Sequence, residues 1–122
     1  MSQSKLHIRE TDRREIKSLC GIAFDLITPK AAGSKKISFA TIYIDPEKSS
    51  TPHYHKLTEE VYYFLEGNGR VKVGDQVFEV SHGSAVYIPV LQTHQVFNDG
   101  STRLKFTSAD SPPFDRKDVY QP

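Results

Sequence analysis

The chain has 122 residues, 37% of them hydrophobic, enough for one domain that buries a core without disulfide staples. Sixteen basic against 15 acidic residues leave a net charge of +1, which excludes the electrostatic footprint of a nucleic-acid or anionic-membrane binder. Cys20 is the sole cysteine, so neither an intramolecular disulfide nor a metal site built on several thiolates can form.

Met1-Ser2-Gln3-Ser4-Lys5 runs into charged sequence without the apolar stretch of a signal peptide, and no apolar run approaches the roughly 20 residues that span a bilayer. The expectation is a soluble, cytoplasmic protein. Arg13-Arg14 and Lys35-Lys36 read as solvated surface charge. Ile16 to Ile27 predicts one or two strands, with a short helical turn over Asp12 to Leu19 as the alternative. Cys20, inside Leu19-Cys20-Gly21-Ile22-Ala23, reads as a small packed side chain rather than a nucleophile.

From Ile37 onward, short runs rich in Val, Ile, Tyr, Phe and Thr alternate with turn signals. The runs are Ile37 to Ile44, Glu60 to Glu66, Arg70 to Val73, Gln76 to Val80, Ala85 to Ile88, His94 to Asn98 and Arg103 to Ser108. Such spacing predicts an all-β sandwich or barrel, and closure would dispose of exposed strand edges. Gly74-Asp75 predicts a two-residue hairpin turn. Beyond Ser111, Pro112-Pro113 cannot continue a paired strand, so residues 109–122 read as a tail crossing the surface, with Phe114 packing onto the barrel or a second subunit. The organisation expected is an N-terminal pair of strands or arm over 1–36, a barrel over 37–108 and that tail.

Within this frame His53, His55, Glu60 and His94 stand out. His53 and His55 are two apart, so in an extended chain both rings face one point. Imidazole nitrogen with carboxylate oxygen suits Fe, Mn, Ni, Cu or Zn. Alternation turns Glu60, Tyr62 and Phe64 inward and Val61, Tyr63 and Leu65 outward; His94, Val96 and Asn98 follow the same inward rule. Both faces are partly apolar, so a second sheet, the N-terminal segment or a partner subunit should cover the outer one. Tyr62 is either a phenol beside the metal or a packing residue. Asn98 is expected to satisfy backbone groups at a turn, Tyr43 and Tyr87 to lie half-buried in the sheet, and His7 and His82 to be structural or exposed. No acid or base beyond Glu60 is visible on the inward face.

The spacing resembles the small single-domain cupins, whose fold is a double-stranded β-helix or jelly roll. Their first motif runs Gly, five residues, His-x-His, three or four residues, Glu, six residues, Gly. Here His53-Tyr54-His55 is followed by four residues, Glu60, and six more to Gly67; Glu60 rather than Glu59 keeps that last spacing. Gly83, Pro89, His94 and Asn98 stand at the positions of the second motif. Glu47 and Leu91 replace two motif glycines. The resemblance implies one divalent transition metal (Fe, Mn, Ni or Zn) on His53, His55, Glu60 and His94, and a homodimer; the candidate catalytic residues are Glu60, as a base if it leaves the metal, and Tyr62, if its phenol lies beside the ion. It implies an enzyme of dioxygenase or isomerase type acting on a small oxygen-rich metabolite. A non-catalytic sugar- or metabolite-binding module, in which the metal anchors the ligand, is the other reading.

Overall fold

The structure is a computed structural model that describes residues 5–122. Met1 to Ser4, part of the stretch on which the signal-peptide expectation rests, lie outside the described residues. Nine strands form two sheets: β1 (Ile16–Ser18), β2 (Gly21–Ile27), β3 (Ser38–Ile44), β4 (Glu59–Glu66), β5 (Gly69–Val73), β6 (Gln76–Val80), β7 (Ala85–Ile88), β8 (His94–Asn98) and β9 (Leu104–Ser111). The larger sheet runs β1-β2-β3-β9-β4-β7 and the smaller β6-β5-β8, every pairing antiparallel. This is the expected jelly roll. The helical alternative over Asp12 to Leu19 does not form: Ile16–Ser18 pairs with β2, and the 3-10 turn lies earlier, at Glu10–Asp12. Among the described residues, no helix is long and apolar enough to cross a membrane.

Period-2 alternation decides what faces inward. On β4, Glu60, Tyr62 and Phe64 are buried while Val61 and Tyr63 are exposed. The facing row on β9 is Leu104, Phe106, Ser108 and Asp110, paired in register as Phe64 with Phe106, Tyr62 with Ser108 and Glu60 with Asp110. The row therefore grades from apolar to polar. At its apolar end Phe64 stacks on Phe106 at 4.9 Å, and with Leu104, Val71 and Val96 these rings make the core. Each such large side chain stabilises by about 1.5–3 kcal/mol on burial.

Loops fix the ends. The Gly74-Asp75 turn joins β5 to β6 as the sequence predicted, with Gly74 at φ 55°. Glu47 and Leu91, which stand where the motif has glycine, adopt φ 65° and 69°, the left-handed backbone that glycine favours. Asn98 donates to the carbonyls of Ile44 and Thr102 and accepts from Gly100, the turn role expected of it. On the outer face of β3, Glu10 accepts from the hydroxyls of Thr41 and Tyr43, so the N-terminal turn covers that part of the sheet. Tyr87 is exposed rather than half-buried, and its hydroxyl donates to Glu59 at 2.9 Å. His7 and His82 are exposed.

Candidate metal centre

At the polar end of the sandwich the two sheets bring three histidines together. The segment before β4 runs beside β8, and His53 and His94 exchange backbone hydrogen bonds of 3.2 and 2.9 Å. His55 lies two residues on, and the ligand nitrogens of His53, His55 and His94 fall within 4.8 Å of one another. All three rings are 1% exposed or less.

Each ring is oriented by the backbone. Nδ1 of His53 donates to the Thr51 carbonyl at 2.7 Å, that of His55 to Asp118 at 2.8 Å, and that of His94 to Gln92 at 3.0 Å. With Nδ1 carrying the hydrogen, Nε2 of a neutral ring offers a lone pair. Glu60 Oε1 lies 3.1 Å from Nε2 of His55 and 3.2 Å from Nε2 of His94, yet among the described residues both nitrogens lack a hydrogen-bond partner. Lone pair therefore meets lone pair, at two places, among buried side chains. Such an arrangement is costly unless a cation lies among the groups, either a proton on each ring or one metal ion.

Burial alone would raise the Glu60 carboxyl, but its contacts with His55, His94 and Asp110 outweigh that and hold it well below the usual range. Burial likewise depresses His55, and the carboxylate contact reverses the effect to leave it raised. His53 is lowered to about 4, by burial and then by the neighbouring His94, so its ring is neutral at physiological pH. A carboxylate and three imidazoles whose Nδ1 atoms all face backbone carbonyls, which leaves Nε2 to point into the cluster, fit a divalent transition metal.

Two residues that the sequence did not assign to the cluster lie against it. Cys20, at the β1–β2 turn, places Sγ 3.3 Å from His53 Nε2; burial pushes its thiol far up, which agrees with the packed, unreactive reading. Asp110 overturns the expectation that no inward acid or base accompanies Glu60. It lies opposite Glu60 on β9 and is 5% exposed. Ser108 Oγ sits 2.6 Å from Asp110 Oδ1 and 3.2 Å from Glu60 Oε2. One hydroxyl has one hydrogen, so it can donate to only one of two carboxylates; the arrangement is satisfied when Asp110 carries a proton, donates to Ser108, and Ser108 donates to Glu60. Burial and then the Glu60 charge push the Asp110 carboxyl up to about 9, in agreement. Continuing the alternation Leu104, Phe106, Ser108 by one more step would have found it.

Tyr62 is 1% exposed, packs on Phe106 at 4.9 Å, and has its phenol 3.4 Å from Glu60 Oε1. Burial and then the Glu60 charge push that phenol well above its ordinary value, so it is a neutral wall residue.

A cavity of about 360 Å³ opens beside this cluster. Glu60, Ser108, Asp110 and Cys20 form its polar floor; Ile16, Ala23, Ala40 and Ile42 make apolar walls; Phe114, Arg116 and Val119 of the C-terminal segment close one side. That volume falls in the range of small-molecule sites.

The chain matches the cupin domain over residues 40–110. An uncharacterized protein of Methanocaldococcus jannaschii, MJ1618, is 32% identical over 95 residues, covering 78% of this chain and 76% of that one. Among solved structures, the oxalate decarboxylase of Lactobacillus farciminis in its formate complex superposes with TM-score 0.84 at 23% identity, covering 97% of this chain but 36% of that one. The polyketide cyclase RemF of Streptomyces resistomycificus gives TM-score 0.79 at 21% identity, covering 96% and 84%. At these identities the structural likeness speaks for the fold alone. With more than half its length matched to that domain, the chain belongs to the cupin family.

Proposed function

We propose that the protein is a metal-dependent enzyme acting on a small, oxygen-bearing metabolite, with one divalent ion (Fe, Mn, Ni or Zn) held by His53, His55, Glu60 and His94. The observation that carries this is the pair of buried Nε2 atoms, on His55 and His94, that face Glu60 without a hydrogen-bond partner. An ion there supplies Lewis acidity to a ligand oxygen. The remaining chemistry belongs to the chain. The apolar walls bind the body of the ligand and exclude water, and Asp110 holds one exchangeable proton beside it. Delivered to a carbanionic or alkoxide atom of the ligand, that proton leaves an aspartate, which is reprotonated from solvent at the open side of the cavity. Asp110 thus favours proton-transfer chemistry of the isomerase type over dioxygen chemistry. The polyketide cyclase and oxalate decarboxylase names of the structural neighbours accord with an oxygen-rich ligand. A homodimer is part of this reading, supported by the outward apolar side chains Val61, Tyr63 and Tyr87 on neighbouring strands β4 and β7.

The test is the metal content of untagged protein purified without chelator, measured by inductively coupled plasma mass spectrometry beside His55→Ala and His94→Ala. Near one equivalent in the wild type and strong loss in both variants is the expected result. Unchanged stoichiometry in both variants, or a wild type that refuses added metal, would refute the assignment.

A further inference from the structure

The C-terminal segment reaches back to the histidine cluster, and Asp118 makes its polar contact there. Asp118 ends a 3-10 turn, Arg116–Asp118, and is 5% exposed although it carries a carboxylate. Its Oδ1 accepts from the Lys56 amide at 2.9 Å, its Oδ2 accepts from Thr58 at 3.0 Å, and both oxygens lie within 3.2 Å of the Leu57 amide. Successive amides converging on one carboxylate make an anion nest, in which charge-assisted bonds hold the loop in one shape. That loop joins His55 to β4, the strand that carries Glu60. The backbone carbonyl of the same Asp118 accepts the Nδ1 hydrogen of His55 at 2.8 Å.

The segment is tied down on both sides of this residue. Thr58 Oγ1 donates to the Pro112 carbonyl, and Tyr54 and Tyr120 exchange backbone bonds of 2.9 and 3.0 Å. Phe114 meets the His55 ring edge-on at 5.9 Å.

We propose that Asp118 is a positioning residue of the metal centre: it holds the segment that fixes the tautomer and angle of His55, so that docking of the C-terminal segment and metal binding are one linked equilibrium. The inference rests on the metal reading above. A His55 released from the Asp118 carbonyl can move its hydrogen to Nε2, which removes the lone pair that a metal needs. Linkage is reciprocal: if undocking the segment weakens the ion by some factor, the bound ion makes undocking rarer by the same factor.

Zinc or manganese chloride titrated against a chromophoric chelator, on the full-length wild type and Asp118→Ala, reads the first half of this linkage. The variant should bind about 10–100-fold more weakly. Long-range 1H–15N correlation of the imidazoles should show the His55 Nδ1 hydrogen retained in the wild type and partly lost from Nδ1 in the variant, a signature that mere loss of stability would not produce. The other half needs no variant, so it decides even where Asp118→Ala fails to fold: hydrogen exchange at the amides of Lys56, Leu57 and Thr58 should slow when the wild type binds its ion. An Asp118→Ala protein with wild-type metal affinity overturns the inference, as does bound metal that leaves those three amides unchanged. A wild type that binds neither ion, nor nickel or anaerobic Fe(II), overturns the metal reading itself, a result distinct from either.

Discussion

Binding of an ion that the unfolded chain does not hold must raise the melting temperature, and the size of the rise follows from the chain length. At a free ion concentration about 100 times Kd, one site contributes about 2.7 kcal/mol. Unfolding entropy near the midpoint is about 2.1 cal/mol/K per residue, so 122 residues give about 260 cal/mol/K. The midpoint should therefore rise by about 10 °C. His94→Ala removes one ligand and leaves a hole beside Tyr62, whose ring centroid lies 6.0 Å from that of His94, so its metal-free midpoint shifts as well. The decisive quantity is the difference with and without ion, which should collapse toward zero in the variant. Thermal melts followed by circular dichroism, with Mn, Ni, Zn and anaerobic Fe(II) tried separately, measure it. A wild type that no ion stabilises, or an equal rise in His94→Ala, would show that the unpartnered nitrogens are settled by protons instead.

Strand register gives a second test: Glu60→Gln should lose metal, whereas Glu59→Gln, whose side chain faces outward to Tyr87, should keep its full equivalent; the reverse pattern of metal contents would refute the inward assignment. For Asp110, the folded-state value lies above the unfolded one, so its contribution to stability is fully present in acid and is lost as pH rises toward about 9. Urea denaturation of metal-free protein should show Asp110→Asn gaining on the wild type by up to about 1.4 kcal/mol per pH unit between pH 6 and 8, and a constant gap would mean that Asp110 is already ionised. Glu47 is exposed and left-handed, so Glu47→Gly relieves about 1–2 kcal/mol of backbone strain at a smaller cost in unfolded-state entropy. It should raise stability by roughly 0.5–1 kcal/mol in the same assay, and a lowered urea midpoint would contradict the strain argument.

What could be read from the sequence was whatever depends on near neighbours. Alternation along Glu60 to Phe64 assigned the buried face because a half-buried strand repeats every two residues. The histidine spacings marked the cluster for the same reason. Asp110 was lost because the run was ended at Ser108, although the pattern continues through the residue opposite Glu60. Asp118 and Cys20 were beyond such reading. The first meets the loop after His55 across 60 to 62 positions, and the second meets His53 across 33, contacts that exist only once the sheets have closed. Glycine positions show the converse: Glu47 and Leu91 depart from the motif in identity while adopting the left-handed backbone that glycine favours.

The cluster draws its members from both sheets, Glu60 from β4 in the larger and His94 from β8 in the smaller, with His53 paired alongside β8. An ion among them would be a rivet at one end of the sandwich, far along the strands from the Phe64–Phe106 stack. Sheets that must part before the chain can unravel cannot do so until that rivet is withdrawn. The lifetime of the folded molecule against proteases would then be set by the escape rate of the ion, and scavenging of the metal would act as a timer on the protein's removal.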